Sequence, residues 1–564
     1  MNKICGIKTD NTITISGNIL EKEIESKKYT IVFDGTIYNL DNIKAVIGTK
    51  DDILVEELLI ILYSQYDKQM LDYLNGDFSF VIFDGDTIFI ARDRLGVKPM
   101  YYAINNDSFV FASNIKDILD SKIIEPIMSK EELLEMLALG PAHTPSKTYF
   151  KNIFELQAGN YLIYRNDTLE IQKYWDLKEK EITDKDDEII YNIKELVTDS
   201  TKIRMKDNIS STLSGGLDST IVTKIASDIK PDIKTYSINY EGNDEDFKAN
   251  SYQQSKDSDF VKVATSFLDT NHSEIDITQK ELFNNLKDST IARNMPGMAD
   301  IDSSMYIFCK KLSECGENTV LSGECSDEIF CGYPWFYKDD LKSTSGFPWA
   351  LSEDLRENLV KKDLINSGEI SDYILSSKNN TLNQMSIKSS NSYEKEFKEI
   401  NYLTIKYFMN TLIERTERAA RVYNLDVRMP FSDYRIFEYV FSLPAKKKLG
   451  LYISNIPIEK CLLRFAFKED IPISISQRKK SPFPKTYSKK YLEFVEEELS
   501  RILENSNSRI HGILNTDYIK HLIATHGEEL KENLFGQLMT YPQTLAYIIQ
   551  IEYWLTEYNI KVEI

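Results

Sequence analysis

A loop rich in glycine and serine is the stretch of this sequence best suited to chemistry. It reads Leu213-Ser214-Gly215-Gly216-Leu217-Asp218-Ser219, follows a short β-branched run and precedes a predicted helix. A Gly-Gly turn in such a place can be no more than a tight connection. When it joins a strand to a helix N-terminus, its backbone N–H groups and the positive end of the helix dipole together suit an anion. The ordered serines and aspartate around the glycines favour phosphate as that anion.

The spacing of the loop indicates which phosphate chemistry it serves. The sequence contains neither Gly-x-x-x-x-Gly-Lys-Ser/Thr nor a Gly-x-Gly-x-x-Gly that opens a helix, which excludes a Walker loop and a dinucleotide-binding turn. The string Ser-Gly-Gly-x-Asp-Ser instead resembles the pyrophosphate loop of ATP-pyrophosphatase enzymes, which split ATP into AMP and pyrophosphate. The resemblance implies that the loop binds ATP, through Leu213, Ser214, Gly215, Gly216, Asp218 and Ser219.

A second string, Ser322-Gly323-Glu324-Cys325-Ser326-Asp327-Glu328, is rich in acids. Acids after a strand usually mark a solvated helix start, because negative charge suits the first turn. This string resembles the Ser-Gly-Glu-Gly-Ser-Asp-Glu segment of asparagine synthetases, with cysteine in place of glycine at 325 and again at 331. Together with the loop it predicts a magnesium site at Asp218 and Asp327, since Mg²⁺ prefers few carboxylates plus phosphate oxygens. The resemblance implies that Glu324 assists attack of ammonia on an acyl-adenylate.

Further strings in the second half of the chain fit the same family. Residues 294–304 and 426–433 match family sequences around the cleft, and Arg478-Lys479-Lys480-Ser481-Pro482-Phe483-Pro484-Lys485 matches a basic loop. The resemblance implies that Lys480 meets the phosphates during adenylation, and four cations in so acidic a chain suit a pyrophosphate clamp. One departure is the string at 417–421, Glu-Arg-Ala-Ala-Arg, where the family has Asp-Arg-x-Ser-Met. The substrate pocket is therefore expected to differ from the family pattern.

Strand-like runs and short turns dominate the first third of the chain. Apolar patterning predicts strands at 29–33, 78–83, 87–91, 109–112 and 160–164, with a helix from Asp52 to Tyr66. The string Cys5-Gly6-Ile7 and the runs 35–39, 74–80 and 91–99 resemble the N-terminal-nucleophile glutaminase domain of asparagine synthetases. In that family a mature N-terminal cysteine attacks the glutamine amide, with its own α-amine as the base. The resemblance makes Cys5 the candidate nucleophile and Asp52 a candidate glutamine-binding acid.

The glutaminase pattern is incomplete in this sequence. Four residues precede Cys5, so its nitrogen is a peptide amide without basicity unless they are removed. The Arg-Gly-Pro-Asp stretch and the arginine that grip the glutamine carboxylate in the family are missing, and Asp34-Gly35-Thr36 replaces Asn-Gly-Glu. Cys5 then acts as a small hydrophobic residue of a first strand, and little or no glutaminase activity is expected. The retained run 92–96 is expected to preserve the fold of this domain and its docking to the second domain.

The chain divides into two predicted domains around a charged linker at 178–187. Residues 1–177 predict an α+β sandwich like that of N-terminal-nucleophile (Ntn) hydrolases. Residues 188–564 alternate helix and strand signals, which predicts a parallel sheet covered by helices, an α/β fold like that of adenine-nucleotide alpha-hydrolases with a pyrophosphate loop. Ligands of such sheets lie beyond the carboxyl ends of the strands. Ser214, Ile238 and Ser322 all fall at such strand ends. Ile238 and Ser322 therefore join the predicted ATP site, together with Gly323 from the string that resembles asparagine synthetases.

Composition narrows the range of partners. A net charge of −20 over 564 residues argues against a nucleic-acid partner held through its phosphates. None of the six cysteines has a Cys-x-x-Cys or zinc-type spacing, which favours reduced thiols and a cytoplasmic protein. The sequence shows no signal core and no membrane-length apolar run, so no membrane partner is predicted. The oligomeric state stays open, with a homodimer as one option.

These features together predict an asparagine-synthetase-like ligase that uses ATP and Mg²⁺. It would activate a carboxylate, most simply that of aspartate, and form an amide with ammonia while AMP and pyrophosphate leave. A related option is a β-lactam-synthetase-like or peptide-cyclising ligase, whose N-terminal domain also resembles a disabled glutaminase. A third option is a non-catalytic binding protein, against which the intact loop, Asp327 and Lys480 argue.

Overall fold

The structure, a computed structural model, describes residues 2–9, 12–105, 108–206, 208–242, 257–338, 341, 346–387, 391–481, 483, 485–536 and 538–564. The chain forms two compact units. Unit 1 comprises Met1–Ile127 and Pro145–Asp176, and unit 2 comprises Met128–Thr144 and Leu177–Ile564. No helix in the described residues is long and apolar enough to cross a membrane.

Unit 1 contains two antiparallel sheets. The strands in this part of the chain are β1 (Cys5–Thr9), β2 (Thr12–Ser16), β3 (Ile19–Ile24), β4 (Lys27–Ile37), β5 (Gly76–Phe83), β6 (Ile88–Arg92), β7 (Tyr101–Asn105), β8 (Ser108–Ala112), β9 (Ile127–Ser129), β10 (Ile153–Glu155), β11 (Asn160–Arg165) and β12 (Thr168–Lys173). One sheet has the order β10-β7-β8-β1-β2, and the other has the order β12-β11-β6-β5-β4-β3. The helices are α1 (Leu40–Ile47), α2 (Val55–Tyr66) and α3 (Ile115–Asp120), with a 3₁₀ turn at Asp67–Tyr73.

Alternate residues of β4 show how the layers of unit 1 are held together. Val32 joins an apolar cluster that draws side chains from both sheets. Ile31 and Phe33, which point to the other face of the strand, join a second cluster with residues of α1 and α2. The predicted sandwich with helices is therefore confirmed, and the predicted strand runs lie within β4, β5, β6, β8 and β11 but for Thr87, one residue before β6. The predicted helix begins at Val55 rather than Asp52, because Leu54 is extended.

Unit 2 is organised around a five-stranded sheet. Its strands are β13 (Ser210–Thr212), β14 (Lys234–Tyr240), β15 (Asn271–Ile277), β16 (Thr319–Leu321) and β17 (Asp426–Arg428), and a short strand β18 (Lys561–Glu563) lies near the end of the chain. The order is β15-β14-β13-β16-β17, and all neighbouring strands are parallel. The predicted parallel sheet is confirmed. β17, with three residues, is too short to show a period in the sequence.

Along the chain of unit 2, helices precede and follow the strands. They are α4 (Lys130–Leu139), α5 (Asp186–Ile203), α6 (Leu217–Ile229), α7 (Asp257–Leu268), α8 (Gln279–Asn284), α9 (Leu286–Arg293), α10 (Asp300–Glu314), α11 (Ser326–Ile329), α12 (Glu353–Leu359), α13 (Glu369–Leu382), α14 (Ser392–Leu403), α15 (Asn410–Val422), α16 (Tyr434–Ser442), α17 (Ala445–Lys448), α18 (Cys461–Ala466), α19 (Ile473–Ser476), α20 (Lys489–Glu504), α21 (Thr516–Ala524) and α22 (Tyr541–Glu557). A π-helical turn at Thr404–Met409 connects α14 to α15. This alternation of helices and strands is the predicted α/β architecture.

The segment Met128–Thr144 belongs to unit 2, although the sequence-based division placed residues up to 177 in the first domain. Arg356 Nη1 donates hydrogen bonds to the carbonyls of Leu137 and Gly140, at 2.7 and 3.1 Å. The hydroxyl of Tyr547 donates to the carbonyl of Met136 at 3.1 Å. These bonds tie the end of α4 to later helices of unit 2.

Candidate active site

A cavity of about 280 Å³ lies in unit 2, at the carboxyl ends of β13, β14 and β16. This is the place where α/β sheets bind ligands. Most predicted ATP-site and catalytic residues line it, namely Leu213, Ser214, Gly216, Asp218, Ser219, Ile238, Ser322, Gly323, Glu324, Asp327 and Lys480. Gly215 is outside this lining, and its carbonyl accepts a hydrogen bond of 3.0 Å from Arg478 Nη1. The fold therefore gathers around one space residues that are distant in the sequence.

The glycine-rich loop turns directly onto the N-terminus of α6. Ser219 Oγ lies 3.1 Å from Ser214 Oγ and accepts the backbone N–H of Ser214 at 3.2 Å, so the two serines brace the loop. Gly215 has a φ of +68°, and a Cβ there would lie 2.5 Å from the backbone carbonyl carbon of Phe260. Only glycine fits this conformation and this close approach without strain. The loop has the geometry that suits a phosphate group at a helix N-terminus.

Two carboxylates and two lysines form a charged cluster at the cavity. The Nζ atom of Lys460 lies 2.5 Å from Asp218 Oδ2 and 2.6 Å from Asp327 Oδ1. The other oxygen of Asp327 lies 2.6 Å from Lys480 Nζ. Ser326 Oγ donates a hydrogen bond of 2.7 Å to Asp218 Oδ1. The two carboxylates predicted to bind metal are therefore neighbours, bridged by one ammonium group.

The pKa values in this cluster follow from burial and from charge. Burial would raise the pKa of Asp327, yet the ammonium groups of Lys460 and Lys480 outweigh burial and hold it below its ordinary value. Burial also opposes the charge of Lys460, but Asp218 and Asp327 raise the pKa of this lysine well above its ordinary value. Asp327 and Lys460 are thus both charged at neutral pH. Paired carboxylates that already surround a cation, beside a phosphate-type loop, are a donor set that fits magnesium bound to a nucleotide.

Gly332 makes room for the charged cluster. A Cβ at this position would lie 1.8 Å from Asp327 Oδ1 and 2.5 Å from Lys460 Cε. Its own N–H donates a hydrogen bond of 2.8 Å to the carbonyl of Asp327. A side chain at position 332 would therefore force Asp327 and Lys460 apart.

Glu324 lies beside the cluster and is held by groups from α15. Thr416 Oγ1 donates to both carboxylate oxygens, at 3.0 and 2.8 Å, and the guanidinium of Arg415 bonds to Oε1. Ser322 Oγ donates to Oε2 at 3.3 Å. The guanidinium of Arg415 stacks on the ring of Phe483, 4.4 Å from its centroid. These contacts hold Glu324 in one orientation at the cavity wall.

The cations of the basic loop make different contacts. Lys480 reaches Asp327, and Arg478 is bonded to the carbonyl of Gly215 and to Asp257. Lys485 is buried and donates hydrogen bonds of 3.1 Å to the carbonyl of Leu538 and to Thr540 Oγ1, and burial lowers its pKa to about 8. Lys485, unlike Lys480, does not line the cavity, so the structure corrects its predicted place in the clamp. Pro482 and Pro484 lie outside the described residues.

The two cysteines that replace family glycines have left-handed backbones. Cys325 has a φ of 73°, and Cys331 has a φ of 61°. Residues with a Cβ adopt left-handed φ values only at a cost in free energy, whereas glycine does not. This explains why glycine suits both positions. Both thiols are buried, and the pKa of Cys331 is raised by burial to about 12.

Cys5, the candidate nucleophile in unit 1, is preceded by residues that are part of the fold. Ile4 is fully buried in the cluster between the sheets. Its backbone N–H donates to Ser113 Oγ at 3.1 Å, and its carbonyl accepts the N–H of Ser113 at 2.9 Å. The N–H of Asn2 donates to Asp34 Oδ1 at 2.9 Å. Cys5 is partly exposed at the start of β1, and burial raises the pKa of its thiol.

Asp52, the predicted glutamine-binding acid, faces solvent. Its side chain is fully exposed and lies 3.6 Å from the ammonium of Lys44 on α1. A glutamine ligand would need this carboxylate to line a pocket.

The retained run 92–96 of unit 1 makes structural bonds. Arg92 is buried and donates to three backbone carbonyls at 2.6–2.8 Å. Asp93 is also buried and accepts four backbone N–H groups. Burial, and then repulsion from Asp77, raises the pKa of Asp93 to about 6. These bonds hold neighbouring strand ends together, in agreement with the expectation that the run preserves the fold.

Sequence reasoning missed four residues of the site: Lys460, Gly332, Arg415 and Thr416. Lys460 is one of 68 lysines and arginines and stands in no phosphate-binding motif, so only the fold identifies it. Arg415 and Thr416 immediately precede the altered string at 417–421. That departure was the signal that could have directed attention to this turn of helix.

A parallel α/β unit with a pyrophosphate-type loop, paired acids and an oriented glutamate, in one chain with an Ntn-type sandwich, defines an ATP-dependent carbon–nitrogen ligase of the asparagine synthase type. Residues 192–556 match the family described as asparagine synthase. Residues 22–175 match the family described as glutamine amidotransferase domain, a match that begins after Cys5. The chain belongs to the asparagine synthase family.

Three curated relatives show how far the similarity extends. The chain is 34% identical over 549 residues to asparagine synthetase [glutamine-hydrolyzing] 3 of Bacillus subtilis, covering 95% of this chain and 88% of the relative. It is 23% identical to asparagine synthetase [glutamine-hydrolyzing] 1 of the same organism, over 90% of this chain and 84% of the relative. It is also 23% identical to asparagine synthetase B [glutamine-hydrolyzing] of Escherichia coli, over 81% and 70%. The similarity therefore spans both units.

Proposed function

We propose that this ligase adenylates the side-chain carboxylate of aspartate with ATP and then transfers the acyl group to ammonia, releasing AMP and pyrophosphate. The observation that carries the proposal is the charged cluster of Asp218, Asp327, Lys460 and Lys480 beside the glycine-rich loop. Its carboxylates match a metal cation, and its ammonium groups match the leaving pyrophosphate.

Each part of the cavity has a role in adenylation. Ser214, Ser219 and the first turn of α6 bind phosphate oxygens, while Leu213, Ile238, Ser322 and Gly323 flank the nucleotide. Asp218 and Asp327 would hold Mg²⁺, which supplies a Lewis acid that neutralises charge on the phosphates. Lys480 meets the phosphate oxygens and stabilises the negative charge that grows as pyrophosphate leaves.

Glu324 serves the second half of the reaction. Its carboxylate accepts a proton as ammonia attacks the acyl carbon, because a neutral amide forms only when the nitrogen loses that proton. Arg415 and Thr416 fix its orientation from α15. Because the charged cluster serves adenylation and Glu324 serves proton transfer, Glu324 is more important for amide formation than for adenylation.

Ammonia, rather than glutamine, is the proposed nitrogen source. The nitrogen of Cys5 is a peptide amide, so it is not the basic amine that the glutaminase reaction needs. Removal of the preceding residues would take the buried Ile4 out of the core of unit 1. Asp52 is fully exposed, so it does not line a pocket that could hold glutamine. These features support a unit 1 that is retained without its original chemistry.

The proposal is tested by ATP–pyrophosphate exchange with the purified full chain and Mg²⁺. Aspartate, glutamate, succinate and larger amino acids with a side-chain carboxylate form the panel. Exchange that depends on aspartate, and that is lost in Asp327→Asn, supports the proposal. Failure of every carboxylate to support exchange contradicts the ligase chemistry, and exchange with another acid contradicts only the choice of aspartate.

One observation favours a second candidate with the same chemistry and a larger acyl substrate. Met305, Phe308, Cys309 and Leu312 lie on one face of α10 and line the cavity. An apolar wall of this kind suits a carboxylate with a less polar body, as in a β-lactam-synthetase-like or peptide-cyclising ligase. The same exchange panel distinguishes the two candidates, since aspartate would then be the weaker substrate.

A further inference from the structure

Lys460 occupies the position between the two carboxylates where a cation is needed. Its ammonium contacts Asp218 at 2.5 Å and Asp327 at 2.6 Å, and only 3% of its side chain is exposed. Both contacts are ion pairs, and the ammonium also donates a hydrogen bond to Asp218 Oδ2. The pair of acids therefore carries its own counter-ion.

The backbone around Lys460 is shaped to place this ammonium. Lys460 has a left-handed φ of 52° directly before α18, a conformation that costs energy for a residue other than glycine. Gly332 leaves space beside Asp327 and the side chain of Lys460 that a Cβ would fill. The left-handed backbone of Lys460 and the missing Cβ of Gly332 therefore both favour the contact of Lys460 with Asp327.

Removing the ammonium would leave two acids close together at a largely buried place. Both carboxylates are mostly shielded, with 16% and 12% of the side chains of Asp218 and Asp327 exposed. Buried like charges without a partner are strongly destabilising. Lys460 therefore holds the two acids together, with Lys480 on the far oxygen of Asp327.

We propose that Lys460 is a built-in counter-cation that keeps free Mg²⁺ from the carboxylate pair until nucleotide is bound. This rests on the proposed function, because it assumes that Asp218 and Asp327 are the metal ligands. A divalent ion that arrived alone would meet two ammonium groups at the same carboxylates, and like charges repel. Phosphate oxygens that arrive with the metal give Lys460 and Lys480 new acceptors. Metal and nucleotide consequently bind together, and Lys460 moves from the carboxylates to the phosphates.

Metal binding measured by calorimetry tests this order without any turnover. Mn²⁺ is the probe, and α,β-methylene-ATP is the nucleotide, because it cannot be cleaved between the α and β phosphates. With the wild-type full chain we expect binding of Mn²⁺ to tighten at least about tenfold when the analogue is present, since charges at contact distance couple strongly. Equal affinity for Mn²⁺ with and without the analogue overturns the inference, whatever any variant does.

Two variants sharpen the test. In Lys460→Met, Mn²⁺ alone is expected to bind at least about tenfold more tightly than to the wild type, and to raise the unfolding temperature, which this substitution lowers in metal-free buffer. Lys468→Met is the matched control, since Lys468 is an exposed lysine that pairs with Glu469 at 3.7 Å. An unchanged Mn²⁺ affinity in a folded Lys460→Met protein overturns the inference. Lys460→Gln gives the same comparison if the methionine variant does not fold.

The outcome can be told apart from that of the proposed function. Exchange activity together with tight binding of Mn²⁺ in the absence of nucleotide overturns the role of Lys460 alone. Ordered metal binding without exchange for any carboxylate overturns the ligase proposal and leaves the counter-cation in place.

Discussion

The two units keep their family-like residues for different reasons. In unit 2 the loop, Glu324, Asp327 and Lys480 all line one cavity. In unit 1 the retained run 92–96 is buried and makes its hydrogen bonds with backbone groups. The residues that resemble the family thus line a cavity in unit 2, whereas in unit 1 the run 92–96 bonds to the backbone of the fold.

The contrast is the basis of the proposal that unit 1 is retained without glutaminase activity. Residues that hold strands together remain when catalysis is no longer needed, because their removal would unfold the unit. Residues that act only on substrate can be lost without unfolding the unit. In unit 1 the substrate-gripping stretch is missing and Asp52 faces solvent, whereas Asp93 keeps its four N–H donors.

The largest effect is expected from Asp327→Asn. It removes a charge from the pair of acids and breaks the balance with Lys460 and Lys480, so ATP–pyrophosphate exchange should fall about a thousandfold. Circular dichroism checks that the variant is folded. Exchange at the wild-type rate in a folded variant would show that the charged cluster takes no part in adenylation.

Glu324→Gln should separate the two half-reactions. The amide side chain can still accept from Thr416 but cannot take a proton, so amide formation should fall about a hundredfold while exchange stays near the wild-type rate. Product analysis beside the exchange assay measures both. Equal loss of the two activities would assign Glu324 to adenylation or to folding instead.

Gly332→Ala tests the space that the charged cluster needs. A methyl group would collide with Asp327 and Lys460 and displace their charged groups. Because catalysis depends on the exact position of these groups, exchange should fall about tenfold. Gly512→Ala is the matched control, because a Cβ there meets nothing within 4 Å. Equal activity of the two variants would show that the close approach at 332 is unimportant.

In unit 1, Asp77→Asn should change stability with pH and leave activity unaltered. The pKa of Asp93 is raised to about 6 by burial and then by Asp77, so its stabilising contribution is complete below pH 4 and is lost as pH rises through 6. The variant removes the repulsion, so its advantage over the wild type in free energy of unfolding should grow between pH 4 and pH 7, by about 1 kcal/mol. Asp86→Asn, at a largely exposed side chain, is the control. An advantage that does not vary with pH would contradict this electrostatic explanation.

The smallest effect is expected from Cys5→Ala, which should leave ammonium-dependent amide formation unchanged. The thiol has no role in the proposed reaction. By contrast, Ile4→Ala should lower stability by about 3 kcal/mol, since Ile4 lies in the core between the sheets. Mass spectrometry of the protein should find Ile4 still attached. A protein that begins at Cys5 would restore the case for a glutaminase.

Patterned and local features could be predicted from the sequence. Strands such as β4 and β14, the helix after Gly216 and the parallel sheet follow from apolar periodicity and the turn residues. The residues of the loop and of the string from Ser322 to Asp327 follow from their order. What unites them is that each signal is contained in a short stretch.

Features that depend on distant contacts could not be predicted. Lys460 bridges Asp218 and Asp327 only because β13, β16 and the turn before α18 meet, and a single lysine carries no signal of that meeting. Lys485 stands in the same basic loop as Lys480, yet it turns into the protein to bond with the carbonyl of Leu538. The assignment of Met128–Thr144 to unit 2 likewise depends on bonds from Arg356 and Tyr547.

The most direct test compares two nitrogen sources in one assay. The purified full chain is given ATP, Mg²⁺ and aspartate with either ammonium or glutamine, and asparagine, AMP, pyrophosphate and glutamate are measured. We expect asparagine with ammonium, one pyrophosphate for each amide, and no glutamate from glutamine. Glutamine that supports asparagine formation with matching release of glutamate, or ammonium that supports none, would contradict the contrast between a working unit 2 and a silent unit 1.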